Sequence, residues 1–145
     1  MTKEDGKGAS PQAVAGRTPD AITLLETLLP DHHRAFGPDH PNTLLTRNNL
    51  ANAYQAAGRT PDAIAVLEPL LADLERVLGP DHPNTLLTRS NLANAYQAVG
   101  RIHEAIALYE PLVAARERTL PAEHADTLAT RGNLANAYQA AGRTQ

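Results

Sequence analysis

From Pro41 to Ala57 the apolar residues Leu44, Leu45, Leu50, Ala51, Ala53, Tyr54 and Ala57 fall largely at i, i+3, i+4 and i+7 spacings, the pattern of an amphipathic helix. Gly58 follows as a left-handed stop. A second helical stretch, about residues 61 to 78, places Ala63, Ile64, Leu67, Leu70, Leu71 and Leu74 on one face. Thr60 is its expected N-cap, Pro61 suits the first helical position, and Asp62 favours the positive end of the helix dipole. Gly79-Pro80 stops this helix and His82-Pro83 opens another of the first kind. Pro69 and Pro111 lie inside helices of the second kind, where the lost hydrogen bond predicts a kink or local irregularity.

The pattern returns every 42 residues. Gly16-Arg17-Thr18-Pro19-Asp20-Ala21-Ile22 recurs from Gly58 to Ile64, and in weaker form from Gly100 to Ile106. With A for the first kind of helix and B for the second, the predicted order is B (about 19–36), A (41–57), B (61–78), A (83–99), B (103–119) and A (125–141). The fold class is all-α, an α-α superhelix of antiparallel pairs in which each unit buries its apolar face only against its neighbours. Full units cover 41–82 and 83–124 within a solenoid over 12–145, and the polar residues 1–11 are expected to form a disordered leader. Gln12 to Ala15 align with Tyr54 to Ala57, and Gly142 to Gln145 stop where a B helix should begin. Both terminal helices thus lack a repeat partner, so either the chain is an excerpt of a longer array or its ends pair between molecules.

Composition narrows the chemistry. One Phe, four Tyr and no Trp leave Ala and Leu to pack the core, which suits close helical pairs. The absence of Cys removes disulfides and thiolate chemistry and is compatible with the cytoplasm. The first ten residues carry no apolar segment, so no signal peptide and no membrane partner are expected. Thirteen basic against sixteen acidic residues, a net charge of −3, argue against a nucleic-acid partner.

Asn49-Leu50-Ala51 with Tyr54, Gly58, Ala63 and Leu67 resembles the tetratricopeptide signature, and it recurs at Asn91-Leu92-Ala93, Tyr96, Gly100, Ala105 and at Asn133-Leu134-Ala135, Tyr138, Gly142. The period and the linker Leu78-Gly79-Pro80-Asp81-His82-Pro83 are similar to the longer variant of kinesin light chains, and to actinobacterial arrays that often follow an NB-ARC-type module. The resemblance implies a right-handed superhelix whose A helices line a concave groove for peptides. Two features depart from the pattern. Arg47, Arg89 and Arg131 stand where a Trp or large apolar residue is usual, and the late helix-B Pro is absent.

On the A helices, Asn52, Asn94 and Asn136 recur with Gln55, Gln97 and Gln139 one turn later, so two parallel amide ladders are expected on one face, with Asn48 beside them. Primary amides both donate and accept, which matches an extended peptide backbone. Asn49, Asn91 and Asn133 are expected instead to hydrogen-bond backbone between repeats. The arginines at 47, 89 and 131 have two readings: forks for carboxylates or phosphates of an acidic partner, or stems over apolar neighbours paired with acids such as Asp62 or Glu68. Arg17, Arg59, Arg101 and Arg143 are expected to be solvated or to serve the dipole at the end of helix A.

His32-His33 with Asp31 and His40 offers metal-ligand types, but adjacent histidines on a helix diverge and nothing completes a tetrahedral set. No metal and no cofactor are therefore expected, and His40 and His82 are read as caps of helix A. No nucleophile elbow or phosphate loop is present, so no enzyme is expected. In the third unit Ile102-His103 replaces Thr-Pro and Pro121-Ala122 replaces Gly-Pro, which predicts fraying at the C-terminal end. The function read from these residues is a scaffold for a peptide or protein, part of a larger regulator or adaptor. The alternative is a structural element that forms homo-oligomers through its uncapped ends.

Overall fold

The computed structural model describes residues 17–142. Six helices follow one another: α1 (Thr18–Phe36), α2 (Pro41–Ala56), α3 (Thr60–Val77), α4 (Pro83–Ala98), α5 (Ile102–Thr119) and α6 (Ala125–Ala140). Each boundary lies within a residue or two of its predicted place, and no strand occurs among the described residues. The leader expected at 1–11 and the helix end expected at Gln12 to Ala15 lie outside the described residues. Each helix packs chiefly on its neighbours in sequence, so the core is a stack. The side chains of Ala63, Leu67 and Leu70 in α3 and of Ala105, Tyr109 and Leu112 in α5 are fully enclosed.

The turn from an A helix to the next B helix depends on its glycine. Gly58 and Gly100 adopt φ of 77° and 84°, a region that L side chains rarely enter. That conformation returns the Arg59 and Arg101 N–H groups to the Tyr54 and Tyr96 carbonyls, each at 2.8 Å. Histidine caps the A helices. Nδ1 of His40, His82 and His124 accepts from the N–H of Asn42, Asn84 and Asp126 at 3.0, 3.1 and 3.0 Å. Behind each cap sits a buried threonine. Thr43 Oγ1 donates to the Gly37 carbonyl at 2.8 Å and Thr85 Oγ1 to the Leu74 carbonyl at 3.4 Å, whereas Thr127 Oγ1 has no partner among the described residues.

One local expectation is corrected. Thr60 does not cap α3: Arg59 holds the N-cap position with no side-chain cap hydrogen bond, and Arg101 does the same for α5. The cap thought to be lost in the third unit is thus absent from the second as well. Pro69 and Pro111 do not interrupt their helices, and α1 likewise continues through Pro30. All three prolines are exposed, as are Glu26, Ala65 and Ala107, whose carbonyls lose the bond, so water can satisfy the orphan acceptors.

Candidate binding groove

Positions 45, 48, 52 and 55 share one face of α2, and the period copies that face onto α4 and α6. It reads Leu45-Asn48-Asn52-Gln55, then Leu87-Ser90-Asn94-Gln97, then Ala129-Gly132-Asn136-Gln139. Each stripe is apolar or small toward the start of its helix and polar toward the end. Asn52, Asn94 and Asn136 are exposed, Gln55 and Gln97 are half-buried, and Gln139 is exposed.

The rungs are not equivalent. Tyr109 in α5, where α1 and α3 carry Leu25 and Leu67, turns its hydroxyl to Asn94 Oδ1 and to Gln97 Oε1, the latter at 3.1 Å. Burial pushes the Tyr109 hydroxyl up to about 12, so it stays a proton donor at neutral pH. With their carbonyls engaged, Asn94 and Gln97 keep their NH₂ groups for other partners. Asn52 and Gln55 face a leucine at the matching position and keep both functions.

Leu45 and Leu87 are 57% and 49% exposed, unusually open for large aliphatic side chains on a repeated face. They flank a cleft of about 370 Å³ between α2, the end of α3 and α4, whose remaining apolar wall is Pro41, Leu44, Leu74, Val77 and Leu78. Asn48, Asn84 and His82 supply polar edges. Asn48 Oδ1 is buried with no hydrogen-bond partner among the described residues.

The arginines at 47, 89 and 131 divide. Arg47 binds Asp73 at 2.6 Å and Arg89 is buried against Glu75 at 2.8 Å, whereas Arg131 is exposed. Two of the three are therefore structural ion pairs, but with other acids than those expected, because Asp62 and Glu68 are taken. Asp62 binds Arg59 at 2.7 Å, and Glu68 accepts from the Tyr96 hydroxyl. Arg59 and Arg101 are likewise not simply solvated. Their guanidinium groups lie 4.6 and 4.5 Å from the Tyr54 and Tyr96 ring centres, and Arg101 also binds Glu104 at 2.6 Å. Arg17 is exposed, and Arg143 lies outside the described residues. Asn49, Asn91 and Asn133 do not bridge repeats: among the described residues their side chains make no hydrogen bond to backbone, and Asn49 faces solvent.

A further ladder went unread in the sequence. Tyr54, Tyr96 and Tyr138 donate to Glu26, Glu68 and Glu110, each tying an A helix to the B helix before it. The constant separation of 28 residues between acid and tyrosine was the available signal. The acids Asp39 and Asp81 in the linkers bind Arg76 and Arg118, both at 2.9 Å and both 37 residues later. No group of three or more His, Asp or Glu able to hold a metal occurs among the described residues. No helix there is long and apolar enough to cross a membrane.

Comparison with known proteins agrees with this geometry. The tetratricopeptide repeat family matches residues 12–72, 48–118 and 87–145. A Podosopora anserina protein, a kinesin light chain candidate with nearly identical TPR-like repeats, is 38% identical with a TM-score of 0.83, over 88% of this chain and 61% of that one. A point variant of that protein is 36% identical with the same TM-score, over 88% and 60%. BtubC (BKLC) from P. vanneervenii is 23% identical with a TM-score of 0.81 over 90% and 52%, a likeness of fold alone. The chain spans about three fifths of the first two structures and about half of the third. No curated protein matches it. Its helix order, glycine turns and recurring Leu-Ala-Tyr core are those of a superhelical repeat array, and the chain belongs to the tetratricopeptide repeat family.

Proposed function

We propose that this chain is a non-catalytic, cytoplasmic scaffold whose A helices hold an extended segment of a protein partner. The reading is supported chiefly by the parallel stripes on α2 and α4. Exposed leucines and an apolar cleft at one end would take a large apolar side chain, while amides at the other would hold the backbone. Arg47 and Arg89 are neutralised by Asp73 and Glu75, so the segment is read as neutral and apolar rather than acidic. An array of this length should bind a short peptide with about micromolar Kd, near −8 kcal/mol.

Panning a phage-displayed library of random peptides on the chain tests the reading. Enriched peptides should share one large apolar residue, and Leu87→Asp or the pair Asn52→Ala with Asn94→Ala should each weaken them about tenfold. A library that yields no binder, or binders indifferent to both variants, would sink it.

A further inference from the structure

Two neighbouring rungs of the amide ladder differ in hydrogen-bond polarity. Tyr109 is fully buried, and among the described residues its hydroxyl meets only Asn94 Oδ1 and Gln97 Oε1, the first of them the nearer. A buried phenol needs an acceptor for its proton. The Asn94 carbonyl is therefore turned inward and its NH₂ group outward, on a residue that is exposed. One period earlier the matching pair is Asn52 and Leu67, and a leucine offers an amide nothing. Asn52 is exposed, makes no hydrogen bond among the described residues, and can present donor and acceptor together.

The difference bears on what an extended segment can satisfy. A residue in extended conformation points its N–H and C=O to the same edge, so an amide free to rotate can accept from the one and donate to the other. Asn52 can make that exchange in full. Asn94 can only donate, so a main-chain N–H beside it would meet an NH₂ group and, once covered, be left without an acceptor. Proline presents a main-chain carbonyl with no N–H, and its fixed φ of about −65° lies within the range of extended chain. A carboxylate is also free of donors, but Asn94, Gln97 and Tyr109 supply no cation to hold it.

We propose that Tyr109 is a positioning residue that makes the Asn94 rung donor-only, so that the groove selects an extended segment with a proline opposite Asn94. The inference rests on the scaffold reading above and narrows its partner to a segment in which a large apolar residue and a proline stand at a fixed spacing.

Peptides enriched by panning on the parent chain supply the probe. They should share a proline at a fixed spacing from their apolar residue. A synthetic peptide of that sequence should bind the parent at least about fivefold more tightly than the same peptide with alanine in place of the proline, read by fluorescence anisotropy. Tyr109→Phe removes only the hydroxyl and releases the Asn94 amide, so there the preference for proline should fall to about one. Asn94→Ala, at an exposed position, should have the same effect without touching the core. Any effect of proline on the free peptide is common to every protein tested, so the change in preference isolates the rung. Binders without a recurring proline, or a preference that survives in either folded variant, overturn this inference and leave the groove reading standing, provided that Leu87→Asp still weakens them. A library with no binder, or binders indifferent to Leu87→Asp, overturns both.

Discussion

The tyrosines at 54, 96 and 109 connect single residues to the behaviour of the stack. The hydrogen bond to Glu26 and burial push the Tyr54 hydroxyl up to about 12, and burial followed by the hydrogen bond to Glu68 does the same for Tyr96. A hydroxyl whose value is raised in the folded state stabilises the fold fully below its ordinary 10.0, and that contribution is lost as the pH climbs toward 12. Urea unfolding followed by circular dichroism should therefore show stability falling between pH 10 and 12. Replacing both Tyr54 and Tyr96 by Phe should reduce that fall to the part that Tyr109 contributes. An unchanged pH profile in the double variant would mean that these tyrosines titrate as they do in the unfolded chain.

At the scale of the element, α6 is the least anchored of the A helices. Only Thr127, Thr130 and Ala137 are buried in it, against eight residues of α4, although the two share most of their sequence. The replaced Thr-Pro cap does not account for this difference, since α3 has no such cap in place. The face that α4 buries and α6 leaves open accounts for it. Amide exchange at low protein concentration should find α6 less protected than α4. Equal protection of the two helices would show that the neighbour's burial adds nothing to helix stability here.

Across the whole molecule, identical chemistry has unequal weight because each helix is stabilised by what stacks on it. Leu67 and Leu25 occupy the same place in the period, but Leu67 is fully enclosed and Leu25 only half-buried. Leu67→Ala should cost about 3 kcal/mol and Leu25→Ala about half that or less, measured by denaturant unfolding. Equal losses would contradict the nearest-neighbour picture.

The period, the helix boundaries, the glycine turns and the histidine caps were all legible in the residues, because they depend on contacts within a few positions of the chain. The identity of the fold followed, since a short period of amphipathic helices has few ways to bury its faces. The partners of the charged and polar side chains were not legible. Arg47 chose Asp73, Arg89 chose Glu75, and Tyr109 engaged Asn94 and Gln97, although all of these residues stood in plain view. Those choices turn on which helix faces meet and on small exceptions to the repeat. Ala115, for instance, stands where Asp73 would have recurred, so Arg89 has no acid on the following helix and turns back to Glu75. The sequence by itself determined the elements and their order, because helix propensity, capping and amphipathic spacing act locally. Only the stacked structure decided which side chains are spent on one another and which remain open, because pairing across 12 to 37 residues depends on distances that exist only once the helices have packed.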